Sequence, residues 1–319
     1  MPPAPTSTEI EHAAQLLCSG GLVAFPTETV YGLGANALDA DAVARIYAVK
    51  RRPATSPLIV HVASSEMARS LLAESFPWPE TAELLTQRFW PGPLTLVLPK
   101  SRAIPPIVTA GLGTVGLRIP SHPTAIALIR AAGLPLAAPS ANRFTELSPT
   151  TAEHVRSSLD GDVDYVLDGG PCTVGIESTV VSLAEARPVL LRPGGISRAD
   201  IESLIGPIHS ADAPGPGAHP APGMHLRHYS PRTPLYLVSD GELPRSGRGV
   251  YLQYARAPQS NNAEIRHMPL SADAYAAQLY RVLHEADEAN VNWIVVDLPP
   301  NNAEWEAVLD RLRRAGSSR

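Results

Sequence analysis

The sequence predicts an α/β protein: an open, twisted sheet of mixed strand direction with flanking helices, followed by a small Rossmann-like α/β domain. Three observations carry this reading. Apolar runs of strand length at 22–25, 58–62, 94–98, 115–120, 134–138, 178–183 and 189–191 empty into loops of glycine and small polar residues. Helical segments are interspersed among them without strict alternation, which favours mixed over purely parallel pairing. At 206–231 the composition shifts to proline, glycine and alanine, and a second set of strand and helix patterns follows. A chain of 319 residues accommodates the two domains. The expected division is 1–205, a proline-rich linker over 206–231, and 232–319.

Thr6, Ser7 or Thr8 caps a first helix that ends near Cys18, with Ile10, Ala13, Ala14 and Leu17 on one face. Residues 20–37 are the organising stretch. An apolar run at 22–25 is stopped by Pro26, which cannot donate to a sheet ladder. Thr27, Glu28, Thr29 and Tyr31 then supply side-chain oxygens, and Gly32 and Gly34 flank Leu33 in what reads as a glycine-rich loop. Open α/β sheets place ligands at such strand ends, and ordinary turns carry the same residues; this stretch alone does not separate the two. Asp39 or Asp41 caps a helix that ends in Lys50-Arg51-Arg52-Pro53, where cations suit the helix dipole whatever else they do. His61 lies inside an apolar strand, the place of a satisfied core histidine or of a ligand. Arg118 is also set among apolar neighbours, so it must meet a carboxylate or phosphate. The strand at 134–138 delivers Pro139-Ser140-Ala141-Asn142 and then Ser148 into a loop that repeats the design of the first. In the second domain, 235–238, 249–252 and 293–297 read as parallel strands, with helices at 272–289 and 303–314.

Composition narrows the function classes. With 44% hydrophobic and 18% charged residues the chain is globular rather than disordered. A net charge of −5 gives no global basic footprint for nucleic acid, although a local basic cleft fits within it. Cys18 and Cys172 lack metal-ligand spacing and read as buried thiols of a reducing compartment. Residues 1–7 do not resemble a signal peptide, and no apolar run approaches a membrane span, so a cytoplasmic protein is expected. Of 26 basic residues only Lys50 and Lys100 are lysines. Where arginine fills nearly every cationic position, a retained lysine points to a use for its compact ammonium, and Lys50 is the better placed of the two.

No Walker loop, dinucleotide fingerprint, zinc spacing or Gly-x-Ser-x-Gly elbow occurs. A bound nucleotide would therefore have its phosphates held by side chains and a metal. The motifs that do occur are Phe25-Pro26-Thr27-Glu28-Thr29-Val30-Tyr31-Gly32-Leu33, Lys50-Arg51-Arg52-Pro53, Pro57-Leu58-Ile59-Val60-His61, Trp90-Pro91-Gly92-Pro93-Leu94-Thr95, Ala138-Pro139-Ser140-Ala141-Asn142, Gly175-Ile176-Glu177-Ser178-Thr179 and Leu191-Arg192-Pro193-Gly194. Together and in this order they resemble the YrdC-like threonylcarbamoyl-AMP synthases. The segments Pro222-Gly223-Met224 and His228-Tyr229-Ser230-Pro231, with a C-terminal domain, resemble the longer two-domain form of that family.

The resemblance implies a YrdC-like catalytic domain and a nucleotidyltransferase reaction. L-Threonine, bicarbonate and ATP would give threonylcarbamoyl-AMP, pyrophosphate and water, and the product would feed tRNA processing, as the threonylcarbamoyladenosine at position 37. It also implies residue roles. Lys50, Arg52, Ser140 and Asn142 would be catalytic and hold the phosphates. Thr114, Ser148, Arg192 and Tyr229 would complete the ATP site, while Thr27, Tyr31, His61, Arg118, Ala138 and Ser178 would bind threonine. Magnesium would come with ATP, held by phosphate oxygens and not by protein side chains. A downstream tRNA threonylcarbamoyl transferase is the implied partner; direct tRNA contact stays open, and no membrane partner is expected. The linker is expected to act as a lid that brings Tyr229 to the nucleotide and keeps water from a mixed anhydride. Two other classes fit parts of the pattern: an RNA-binding module with a basic concave surface, and a carbamoyltransferase domain that forms carbamoyl-adenylate.

Overall fold

A computed structural model describes residues 4–159, 161–211, 229–239, 241–244, 246–259 and 261–316. Helix α1 (Ser7–Cys18) starts at a capping box, in which Thr6 and Glu9 satisfy each other's backbone N–H groups. Strand β1 (Val23–Phe25) turns through Thr27–Tyr31 into β2 (Gly32–Asn36), which pairs with it antiparallel. The sequence reading took Gly32, Leu33 and Gly34 for part of a glycine-rich loop. They form a central strand because Gly34 faces the Phe25 ring, where a Cβ would come within 2.7 Å of a ring carbon. Two glycines here record close packing, not flexibility.

Helix α2 (Ala40–Lys50), capped by Asp39, leads to β3 (Ile59–His61), and α3 (Ser65–Ser70) and α4 (Glu80–Phe89) precede β4 (Leu94–Pro99). After β5 (Thr114–Arg118) come α5 (Pro123–Ala132), β6 (Leu136–Ala137), α6 (Ala152–Leu159) and β7 (Tyr165–Val166). Strands β8 (Thr179–Ser182) and β9 (Val189–Arg192), helix α7 (Arg198–Ile205) and β10 (His209–Ser210) complete the first sheet. Its order is β10-β9-β8-β4-β5-β3-β6-β2-β1-β7. The mixed direction is as expected: β3–β5, β4–β8 and β9–β10 are parallel, whereas β4–β5, β3–β6, β2–β6 and β8–β9 are antiparallel. Strand β10 carries this sheet beyond Ile205, where the sequence reading ends the first domain. Cys172 is buried as expected, but Cys18 is exposed at the end of α1.

The second sheet is all parallel, built from β11 (Leu235–Val238), β12 (Gly249–Gln253), β13 (Ala263–His267) and β14 (Trp293–Asp297) in the order β11-β14-β12-β13. Edge strand β13 lies outside the sequence reading because Glu264, Arg266 and His267 leave it no apolar run. Helices α8 (Ala272–Glu288) and α9 (Glu306–Gly316) cover this sheet with Tyr275, Leu279, Leu283, Val308 and Leu312. No helix among the described residues is long and apolar enough to cross a membrane.

The two sheets share a seam. The apolar cluster of the second domain continues into Val30, Leu147, Ile176 and Tyr229 of the first domain and linker. Gly175, at φ +78°, lies so close to α8 that a Cβ would fall 2.5 Å from the Ala276 carbonyl and the Ala277 Cα. His154 of α6 stacks on His284 of α8 with ring centroids 3.9 Å apart. His284 Nε2 also donates to the Ser148 carbonyl at 3.1 Å.

Burial, followed by the neighbouring His284 and Arg281, holds His154 down at about 3, and burial lowers His284 as well. The His154 ring is therefore neutral in the folded state down to about pH 3, while an unfolded histidine takes up its proton near pH 6.5. The unfolded chain binds more protons between the two values. The seam thus contributes its full stability above about pH 6.5 and loses it as pH falls towards 3. His154→Gln should flatten the decline in urea midpoint between pH 7.5 and pH 5; an unchanged slope would contradict this assignment.

Candidate active site

The two polar loops that follow β1 and β6 are joined by backbone hydrogen bonds. Leu33 N donates to Pro139 O, Ala141 N to Tyr31 O and Tyr31 N to Pro149 O, each at 2.8 Å. Between them opens a narrow cleft. Thr27, Arg52, His61, Arg118, Ala138, Ser140, Ser178, Arg192 and Tyr229, all expected from the sequence, line it. Thr29, Glu177 and the backbone of Gly32 and Pro139 line it too.

The first loop is held by Thr27, whose Oγ1 accepts from Thr29 N and Val30 N at 3.2 Å and donates to Val30 O at 2.6 Å. Arg118, at the end of β5, is buried against Glu28 with Nη2 2.7 Å from Oε1. Its Nε donates to Gly92 O at 3.2 Å and its Nη1 to Thr29 Oγ1 at 2.9 Å. This meets the demand that a buried arginine find a carboxylate, and it leaves N–H groups on both terminal nitrogens for a ligand. His61 sits beside it on β3. Burial and the charge of Arg118 hold its pKa at about 3, so the ring is neutral, and Nδ1 is buried without a partner among the described residues.

At the other end Arg52 donates through Nε to Ser56 O at 3.1 Å and through Nη2 to Pro57 O at 3.0 Å. Both acceptors are neutral, so no carboxylate among these contacts cancels its charge; burial lowers its pKa to about 10, which still leaves it cationic. Arg192 lies across the cleft and donates from Nε and Nη2 to Ser178 O and from Nη2 to Ser178 Oγ, at 2.9–3.1 Å. Ser178 Oγ shares a further 2.9 Å bond with Thr95 Oγ1. Tyr229 is 1% exposed and takes a left-handed φ of 62°, a conformation that costs energy for a non-glycine residue. His228 and the rest of 212–228 lie outside the described residues.

The structure does not bring every expected residue to the cleft wall. Lys50 is buried behind it, with Nζ donating to the carbonyls of Ser140 and Asn142. Its ammonium therefore ties down the loop that bears those residues, and burial followed by Arg52 lowers its pKa. Asn142 points away as well, donating to Arg143 O and Glu146 O, while its buried Oδ1 has no partner among the described residues. Ser148 is fully buried and donates to Glu177 Oε1 at 2.6 Å. Thr114 borders a separate small hollow with Ile59, Val97 and Val180. Tyr31, expected to cover the threonine end, instead donates its hydroxyl to Gly170 O at 2.7 Å.

Sequence reasoning missed two carboxylates inside motifs it singled out. Glu28 neutralises Arg118, and Glu177 accepts from Ser148 and lies 2.6 Å from Arg311 Nε of α9. Burial alone would raise Glu177; the charges of Arg311 and Arg192 and the Ser148 hydroxyl bring it below the usual carboxylate value. Among the described residues no group of three or more His, Cys, Asp or Glu is arranged to hold a metal ion. Glu177 in the cleft wall and Glu28 beside it are engaged by arginines.

Lys50→Met would leave two buried carbonyls without their donor, a loss of about 1–3 kcal/mol for each unsatisfied group. Urea unfolding should show that destabilisation. An unchanged midpoint would mean that the ammonium does not anchor the 140–142 loop.

Comparison with known proteins agrees along the whole chain. A family model described as telomere recombination (Sua5_yciO_yrdC) matches residues 15–194. A second, described as threonylcarbamoyl-AMP synthase, C-terminal domain, matches residues 196–317. The chain is 45% identical to the threonylcarbamoyl-AMP synthase of Bacillus subtilis, across 98% of its own length and 94% of that protein. It is 41% identical to the synthase of Pyrococcus abyssi, across 98% and 95% of the two chains. A crystal structure of P. abyssi Sua5 complexed with L-threonine superposes with a TM-score of 0.91 at 40% identity, covering 99% of this chain and 96% of that one.

Proposed function

The chain belongs to the threonylcarbamoyl-AMP synthase family in its two-domain form, and we propose that its cleft joins L-threonine, bicarbonate and ATP into threonylcarbamoyl-AMP, with release of pyrophosphate and water. The observation that carries the residue assignment is the arrangement of charge. Arg52 and Arg192 stand at one end of a buried cleft, and the neutralised Arg118–Glu28 pair stands at the other. A polyanion fits the first end and an amino acid the second.

At the threonine end, Arg118 presents its remaining N–H groups to the carboxylate, with Thr27, Ser178 and the Ala138 backbone around the amino acid. Neutral His61 offers Nδ1 as a hydrogen-bonding atom for the amine or the carbamate formed on it. Carbamate formation joins the threonine nitrogen to the bicarbonate carbon and expels water. A carbamate oxygen then attacks the α-phosphorus as the bond to the β-phosphate oxygen breaks, and that oxygen leaves with pyrophosphate. Such a transfer needs alignment and electrostatic stabilisation more than covalent help. Arg52, Arg192 and the Ser140 hydroxyl hold the phosphates, and Tyr229 packs against the nucleotide. Lys50, Asn142 and Ser148 act from behind by fixing the loops, with Thr114 at the margin of the nucleotide end. Glu28 and Glu177 are engaged by arginines, so magnesium would come as a companion of ATP beside Arg52, Ser140 and Arg192 and would supply charge neutralisation.

Near-complete coverage of synthase relatives favours this reading over an RNA-binding module or a carbamoyltransferase domain. The product is the donor for adenosine 37 of tRNA, handed in the cytoplasm to a tRNA threonylcarbamoyl transferase. Of the linker at 206–231, Tyr229 lines the cleft, and we propose that it helps to keep water from the mixed anhydride.

Pyrophosphate release should require ATP, threonine and bicarbonate together, and turnover that persists with threonine omitted would refute the proposal. Arg118→Lys keeps the charge beside Glu28 but loses the planar fork. It should raise KM for threonine about tenfold or more and leave KM for ATP within about twofold. An equal rise in both would make Arg118 a purely structural ion pair.

A further inference from the structure

Arg311 belongs to the second domain, yet its side chain is completely buried against the nucleotide end of the cleft. On α9 it shares the inward face with Val308, Leu312 and Ala315. Its guanidinium reaches three separate segments of chain. Nε is 2.6 Å from Glu177 Oε2, Nη2 donates to Pro193 O at 3.0 Å, and the guanidinium carbon lies 5.2 Å from the centre of the Tyr229 ring. Nη1 meets the adjacent Asp310 at 2.6 Å.

Each of those segments carries a residue of the proposed ATP site. Glu177 receives the Ser148 hydroxyl on its other oxygen at 2.6 Å, so the orientation of Glu177 sets that of Ser148. Pro193 follows Arg192. Tyr229 is itself in the cleft wall and in a strained backbone conformation. Tyr280 of α8 closes the arrangement, with its hydroxyl 3.2 Å from Glu177 Oε2 and its ring 5.8 Å from that of Tyr229. An ion pair that served only to join two domains needs one carboxylate partner. This guanidinium instead uses its planar fork to fix three elements relative to one another.

We infer that Arg311 is a positioning residue for the nucleotide end of the cleft, through which the second domain sets the placement of Ser148, Arg192 and Tyr229. The inference rests on the function proposed above. It gives the second domain a role in ATP binding more than in threonine binding, since Arg311 itself reaches Glu177, Pro193 and Tyr229 and not the Arg118–Glu28 pair.

The test measures ATP and threonine affinity of the full chain by calorimetry, alongside KM for each in pyrophosphate release. Arg311→Lys keeps a cation near Glu177 but a single ammonium cannot span Glu177 and Pro193. It should weaken ATP binding about tenfold or more while threonine affinity stays within about twofold. Because a lone buried Glu177 is destabilising, the second variant is Glu177→Gln with Arg311→Met, which removes both charges together. It should melt close to the parent temperature and still bind ATP about tenfold or more weakly. Parental ATP affinity in the double variant, or equal losses for ATP and threonine in Arg311→Lys, would overturn the inference and leave Arg311 a structural tie. If the parent chain bound both ligands without releasing pyrophosphate, the proposed function would fail, and the affinities would still decide the role of Arg311.

Discussion

The burial of positive charge is the constraint from which the cleft follows. Lys50, Arg52, Arg118, Arg192 and Arg311 are all buried around it, and the buried carboxylates facing them are Glu28 and Glu177. Moving one such cation from water costs several kcal/mol even after relaxation, unless partners compensate. The compensation is divided. Glu28 and Glu177 each take one arginine, while backbone carbonyls of Ser140, Asn142, Ser56, Pro57 and Ser178 receive the others. Carbonyl dipoles satisfy donors without cancelling charge. Arg52, whose Nε and Nη2 are met by the Ser56 and Pro57 carbonyls, thus keeps a charge that can stabilise a phosphate.

The same constraint explains why the chain has a second domain against this face. Glu177 needs a cation, and α9 provides it from outside the first sheet. The Tyr280 hydroxyl, the contact of Gly175 with α8 and the His154–His284 stack bring the domains together at the same rim. Docking of the second domain and the nucleotide end thus share one seam, with Tyr229 of the linker packed between Arg311 and Tyr280.

Much of this was legible in the sequence because the motifs combine local rules with chemistry. Strand ends at Phe25 and Ala138, the caps at Thr6 and Asp39, and the need of Arg118 for an anion all follow from residue type and position. What the sequence hid was direction. Lys50 ends a helix in a phosphate-binding motif, but only the fold shows its ammonium aimed at two backbone carbonyls and not into the cleft. Tyr31 lies in the same loop as Thr27, yet its hydroxyl goes to Gly170 O, because the chain bends between them where Thr27 Oγ1 bonds the backbone of Thr29 and Val30. Gly32, Leu33 and Gly34 read as part of a loop because glycine weakens strand patterns, and nothing local reports that the Phe25 ring fills the space. Glu177 was passed over as an ordinary motif carboxylate because its partner lies 134 positions along the chain.

The most direct test of the charge argument is a crystal structure of the full chain with L-threonine and a non-hydrolysable ATP analogue. A second, roomier hollow, lined by Lys50, Arg51, Arg143 and Arg232 together with Glu146, Asp287 and Glu288, offers the phosphates an alternative. The account predicts that the triphosphate lies in the first cleft against Arg52, Ser140 and Arg192, with the threonine carboxylate on Arg118. Phosphates seated in the second hollow would contradict it.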